Sequence, residues 1–296
     1  MEIIKDIEGY LNNNKKHNIF FDLYSFSNEN ISGYISYFDL KNKSLLTVGS
    51  SCDQAINAFL EGCEDITICD VCPLTKYYYY LKLAAILSLK REELLKFLCE
   101  TNYNIENNPY LFNKETFNKI KTTLMSLDYD SYYLWDYLIS MYNKYELERL
   151  FRRDINVKDS IINCNNYLKS ENNYKKLKKI INNITVNFIN GNVINEEYNR
   201  TFDNIWLSNV AHYLKGEEVI KLFFNNEKAL NEEGKMLLCY FWNNITNIKD
   251  VRIEEFQYIE SEKIIIPGIS VYEDDSILLC SKSKKLWYNM YVRNYE

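Results

Sequence analysis

The sequence predicts an α/β protein built on an open, mainly parallel sheet. One observation is the stretch 45–89, LLTVGSSCDQAINAFLEGCEDITICDVCPLTKYYYYLKLAAILSL, which reads as strand, small-residue turn, helix, strand ending in an acid, and helix. Another is that strand-length apolar runs recur at 186–189 and 204–207, each followed by a polar turn. In such sheets ligands bind at the C-terminal strand edge, where Gly49, Asp70, Asn192 and Ser208 are expected to converge.

Residues 45–48 form the first expected strand. In Gly49-Ser50-Ser51, small side chains let backbone N–H groups approach a ligand at the start of the next helix. Asp53, Ala55, Ile56, Phe59 and Leu60 then keep helical spacing until Gly62, a helix stop. The second strand, 66–69, ends at Asp70, with Val71 behind it. An acid about 20 residues beyond a glycine turn is placed to reach ribose hydroxyls, and its two oxygens match a vicinal diol. The following helix, 74–89, carries tyrosines at 77–80 that wrap around it, as packing residues do.

Upstream, residues 1–40 read as a short helix at 3–11 and an aromatic, Asn-rich lead that caps the sheet or covers a ligand. The main α/β domain is expected over 41–296, interrupted by a helical insertion at about 91–183. Tyr129, Tyr132, Tyr133, Trp135 and Tyr137 in that insertion are candidates for an apolar wall of an acceptor pocket. Arg149, Arg152 and Arg153 follow, either as the basic end of a helix or, for Arg152 or Arg153, as a two-pronged partner for a carboxylate or anionic acceptor. Lys175, Lys176, Lys178 and Lys179 read as a solvated helix face. A helix at 216–231, a strand at 236–242 and a β-rich tail at 264–266 and 276–280 complete the plan.

Composition excludes several classes. A net charge of −6 argues against general nucleic-acid binding, which needs a basic surface. No run approaches the ~18 apolar residues of a membrane span, and the first residues lack a signal-peptide pattern, so a cytoplasmic protein with at most peripheral membrane contact is expected. Cys69 and Cys72 form a C-x-x-C, but no second pair completes a zinc set; no metal site is expected, and the eight cysteines read as thiols of a reducing compartment.

The runs LLTVGSSCDQAINAFLEG, ITICDVCP and LKLAAI resemble the S-adenosylmethionine:diacylglycerol 3-amino-3-carboxypropyltransferase family, the betaine-lipid synthesis enzymes and their relatives. LFRRD at 150–154, NNYLKSENNY at 165–174, VNFINGNV at 186–193 and FDNIWLSNVAHYL at 202–214 are similar to further family segments in the same order. The resemblance implies a Rossmann-like class I S-adenosylmethionine-dependent methyltransferase fold, with the helical insertion after the second strand. It implies S-adenosylmethionine as cofactor, with Gly49, Ser50, Ser51, Asp53, Asp70, Val71, Asn192, Ser208 and Asn209 as the residues that hold it.

Three departures from the family pattern stand out. Asp-x-Asn-Pro followed by Gln is here Asp70-Val71-Cys72-Pro73 with Thr75, which removes two amide side chains. The Gly-Asp that faces adenine is Gly191-Asn192, whose side-chain carbonyl can still accept from the adenine amino group. An expected acid is His212, which becomes the candidate general base because its pKa lies near neutrality. The resemblance thus implies transfer of the 3-amino-3-carboxypropyl group to a lipid or small-molecule acceptor. Methyl transfer is the alternative, and a non-catalytic cofactor-binding or scaffold protein the second.

Overall fold

β-Branched and apolar runs between polar turns place seven strands in one sheet, as seen in a computed structural model. The structure describes residues 2–12, 21, 23–98, 108–152, 158–181, 184–214, 216–240, 259–267 and 274–282. The strands are β1 (Ser44–Val48), β2 (Asp65–Asp70), β3 (Thr185–Asn190), β4 (Phe202–Trp206), β5 (Leu230–Tyr240), β6 (Ile259–Pro267) and β7 (Asp274–Lys282). The helices of the first half are α1 (Glu2–Asn12), α2 (Ile31–Tyr34), α3 (Asp53–Leu60), α4 (Thr75–Ser88), α5 (Arg91–Leu98) and α6 (Lys114–Leu127). Those of the second half are α7 (Tyr129–Met141), α8 (Lys144–Glu148), α9 (Lys158–Cys164), α10 (Asn166–Lys169), α11 (Glu171–Ile180) and α12 (Gly216–Lys228).

The sheet order is β3-β2-β1-β4-β5-β7-β6. β1 pairs in parallel with β2 and β4, and β4 with β5, whereas β7 runs antiparallel to both β5 and β6. The switch point between β1 and β4 is where an open sheet of this kind forms its ligand crevice. This strand order, with its reversed β7, is the Rossmann-like class I methyltransferase fold that the resemblance implies.

The chain divides into two compact units. The sheet unit comprises Glu29–Val48, Glu61–Cys69 and Ile184–Glu296. Its core joins Leu46, Ile205 and Leu207 to Met236 and Leu238, and α12 adds Val219, Leu222 and Phe223. Each such side chain contributes about 1.5–3 kcal/mol on burial. Trp206, fully buried at the end of β4, meets Tyr34 and Phe38 edge-on at 5.5 and 5.2 Å. Among the described residues, no helix is long and apolar enough to cross a membrane.

The helical unit comprises Met1–Asn28, Gly49–Leu60 and Asp70–Asn183. The lead expected as one segment over 1–40 is therefore shared between the units. Every residue of α3 is buried, polar Asp53, Gln54 and Asn57 included. Between 91 and 183 the described elements are helical, apart from the bridge between Phe151 and Leu23. Their starts are written in capping residues: Asn113, Asp128 and Ser170 accept from the N–H groups of Thr116, Ser131 and Asn173, and Asn143 with Glu146 forms a capping box.

The helical geometry breaks up the expected aromatic wall. Trp135 is buried and donates to the Tyr77 carbonyl at 2.9 Å, whereas Tyr129 and Tyr133, one turn apart, are exposed. β5 begins at Leu230 rather than 236, because the polar run after it loops out as a bulge: Phe202 pairs with Leu230 and Asn204 with Lys235, and Glu233 takes φ 64°. A bulge interrupts the alternation by which strands are read. Cys52, Cys63, Cys69, Cys72, Cys164, Cys239 and Cys280 are buried free thiols; Cys99 lies outside the described residues.

Candidate functional site

Val48 and Cys69 are register partners at the ends of β1 and β2, and the chain continues from them into Gly49 and Asp70. In the helical unit these two meet. The turn closes with the Cys52 N–H on the Gly49 carbonyl at 2.7 Å, and Ser50 and Cys52 both adopt left-handed backbone, φ 46° and 64°. Left-handed backbone costs a non-glycine residue about 1–2 kcal/mol, and such outliers cluster at functional sites. Glycine at 49 is required by space: a Cβ there would collide with Thr75 Cγ2 and lie 2.5 Å from Asp70 Oδ2.

The Asp70 carboxylate is the centre of this corner. Oδ2 accepts from the Ser50 N–H at 2.5 Å and the Thr75 hydroxyl at 3.0 Å, and Oδ1 from the Cys72 N–H at 2.9 Å. Burial pushes its pKa up, and the donors of Cys72, Ser50 and Thr75 only partly counter this. Burial also pushes the Cys72 thiol up to about 12, so it stays protonated beside the acid. Sequence reading anticipated the turn and the acid together. It did not anticipate that the turn's own N–H is bonded to the acid, with Thr75 beside it.

Asp53 and Ser51 belong to a different network. Lys82 Nζ lies 2.6 Å from Asp53 Oδ1, and both side chains are fully buried. The ammonium also donates to the carbonyls of Ser25 and Ser51, at 2.9 and 3.0 Å, and stands 4.3 Å from the Phe26 ring centroid. Asp53 accepts further from the Tyr167 hydroxyl at 2.8 Å and the Ser27 N–H at 2.6 Å. Ser51 is fully buried, and its hydroxyl accepts from the Asp53 N–H at 3.2 Å. Both residues hold the turn from beneath. Lys82 and Tyr167 were missed as its supports, although a single lysine within the apolar run of α4 is the mark of a buried, paired cation.

The sheet unit carries the other candidates. After β3, a Cβ at Gly191 would meet the carboxylate end of Glu196, so a side chain there requires that glutamate to move. Asn192 is exposed, and its Oδ1 already accepts from the Ile194 N–H at 3.0 Å as an Asx turn. After β4, Ser208 is left-handed, φ 55°, and buried; its hydroxyl bonds to Glu29 Oε1, and its carbonyl accepts from the Cys239 N–H at 2.8 Å. Buried Glu29 also receives the Tyr34 hydroxyl at 3.2 Å and the Cys239 thiol at 3.5 Å. Nothing in the Asn-rich lead marked Glu29 out. Asn209 forms the N-cap of the 3-10 turn Val210–Tyr213, which contains His212. The His212 side chain lies outside the described residues.

Of the two arginines, Arg153 also lies outside the described residues. Arg152 is half-buried, donates its N–H to the Leu23 carbonyl at 2.6 Å and places its guanidinium 5.7 Å from the Tyr24 ring. Val71 follows Asp70, partly buried.

The strand order and the acid at the end of β2 define the class of protein, an α/β chain of class I methyltransferase fold. No family model matches the sequence, and no curated protein matches it. Solved structures similar to it include N-methyltransferase NodS from Bradyrhizobium japonicum in complex with S-adenosylhomocysteine. That pair shares 9% identity over 81% of this chain and 78% of the other, with a TM-score of 0.36. A TehB-like S-adenosylmethionine-dependent methyltransferase from Corynebacterium glutamicum shares 12% identity over 88% and 89%, with a TM-score of 0.39. Magnesium protoporphyrin IX methyltransferase from Synechocystis with bound S-adenosylmethionine shares 7% over 84% and 74%, with a TM-score of 0.37. At these levels the likeness carries no functional inference, and the fold class rests on the strand order.

Proposed function

We propose that this chain is an S-adenosylmethionine-dependent transferase. The observation that carries the reading is the corner of Gly49, Ser50 and Asp70, entered directly from the adjacent parallel strands β1 and β2 of a sheet in this order. The residues fit the cofactor's parts: Gly49 offers bare backbone, and Asp70 is an acceptor for a vicinal diol. Asn192, exposed after β3, retains acceptor capacity for an amino group, and Ser208 and Asn209 line the turn after β4. Ser51 and Asp53 act from beneath by fixing the turn, and Val71 supplies an apolar neighbour to Asp70.

When bound, S-adenosylmethionine supplies a sulfonium with three electrophilic carbon substituents. The chain's part is to present an acceptor to one of them. The resemblance in the runs around Gly49 and Asp70 favours the 3-amino-3-carboxypropyl group, carried to a lipid or small-molecule acceptor; the fold equally serves methyl transfer. Arg152 or Arg153 would hold a carboxylate, and His212 would take the acceptor's proton. The donors already on Asp70 favour one further reading, a protein that binds the cofactor weakly or serves as a scaffold.

Calorimetry with S-adenosylmethionine tests the cofactor, and silence there leaves only the scaffold. Incubation with cofactor and cell extract then reads the reaction. Methylthioadenosine marks aminocarboxypropyl transfer, and S-adenosylhomocysteine marks methyl transfer and removes the first choice.

A further inference from the structure

We propose that Thr75 sets the ligand affinity of the site, because its hydroxyl occupies the place on Asp70 Oδ2 that a ribose hydroxyl would take. A ribose is then accepted on Asp70 in exchange for Thr75. The inference rests on the cofactor reading above and adds to it a residue that competes with the ligand.

A carboxylate oxygen offers two lone-pair directions. On Asp70 Oδ2 these are filled by the Ser50 N–H at 2.5 Å and the Thr75 hydroxyl at 3.0 Å, while Oδ1 serves the Cys72 N–H at 2.9 Å and the Val71 N–H is a further backbone donor to the carboxylate. The backbone donors are fixed by turns of their own, Cys52 N–H on Gly49 O at 2.7 Å and Thr75 N–H on Cys72 O at 3.2 Å. Releasing either means reshaping the chain. The Thr75 hydroxyl is held only by its side chain, so rotation about χ1 releases it without moving the backbone. The hydroxyl is thus the donor on Asp70 that a ribose hydroxyl can replace without moving the backbone.

A short hydroxyl side chain at the first residue of α4 turns back onto Asp70.

The test is calorimetric titration of the full chain with S-adenosylhomocysteine, comparing wild type, Thr75→Val and Thr75→Ser. Thr75→Val keeps the branched shape and removes the hydroxyl, so binding is expected to tighten about three- to tenfold, the worth of one net hydrogen bond. Thr75→Ser keeps the hydroxyl and is expected to stay within about twofold of wild type on the same scale. The gain should vanish for the analogue lacking both ribose hydroxyls, a readout that a merely structural role for Thr75 would not produce. Thr75→Ala carries the same expectation should the valine variant not fold. Wild-type binding with no gain in the hydroxyl-free variants overturns the role of Thr75 and leaves the cofactor reading standing. Silence from wild type and every variant overturns both.

Discussion

Lys82 Nζ lies 2.6 Å from Asp53 Oδ1 with neither side chain exposed, and the pair ties Ser25, Ser27, Ser51 and Tyr167 into one buried knot. Desolvation offsets most of the Coulombic gain of such a pair, so its value lies in fixing where these segments stand. Removing one partner strands the other charge. Lys82→Met is expected to lower unfolding free energy by about 3–5 kcal/mol, and the double variant with Asp53→Asn to recover part of that. Urea unfolding followed by circular dichroism measures both, and a Lys82→Met loss below about 1 kcal/mol would deny the pair this role.

Tyr167 reaches the same carboxylate from α10. Its hydroxyl donates to Asp53 Oδ1 at 2.8 Å, and burial beside that carboxylate pushes the phenol's pKa well up, so it remains a donor. Tyr167→Phe is expected to cost about 1.5–3 kcal/mol, the range for a hydrogen bond to a charged group. Because Tyr167 and Lys82 share one acceptor, the losses should not add in a double-mutant cycle. Additive losses would separate the two residues.

Much of the sheet was legible because β1, β2 and β4 are short apolar runs ended by polar turns, and α3 and α4 follow at helical spacing. The corner of Gly49 and Asp70 was legible for the same reason, since spacing along the chain brings a strand-end acid to a strand-end glycine. What spacing does not reveal is which donor a carboxylate has already accepted. Asp53 looked like a ligand contact and is spent on Lys82; Glu29, from a segment with no periodicity, reaches Ser208 through tertiary packing alone. The start of β5 was hidden by the bulge that sets Asn204 against Lys235.

Gly49→Ala tests the crowding of the corner. The added methyl meets Thr75 Cγ2 and Asp70 Oδ2, and overpacking of this kind costs about 1–3 kcal/mol. Adding Thr75→Ser removes one of the colliding atoms and should restore part of the loss. Thermal unfolding reads both variants, and a Gly49→Ala protein as stable as wild type would contradict the close approach.

Asp203 predicts a pH dependence with a definite sign. Burial alone, the largest influence, would raise its pKa, but the Ser44 N–H, the Asn231 amide, the Ser44 hydroxyl and Lys43 together hold it below the ordinary value. The Ser44 N–H and hydroxyl both donate to Oδ2 at 2.9 Å, Asn231 donates to Oδ1 at 3.1 Å, and Lys43 Nζ stands 3.9 Å away. A carboxylate depressed in the folded state binds fewer protons there than in the unfolded chain, so unfolding takes up a proton as acidity rises. Its stabilisation is complete above the unfolded value of about 3.9 and fades as pH falls through the lower folded one. Asp203→Asn should therefore be less stable than wild type near neutrality, and the gap in urea midpoint should shrink as pH is lowered past that window. A gap that stays constant or widens in acid would mean that the carboxylate is not held in its charged form by Ser44 and Asn231.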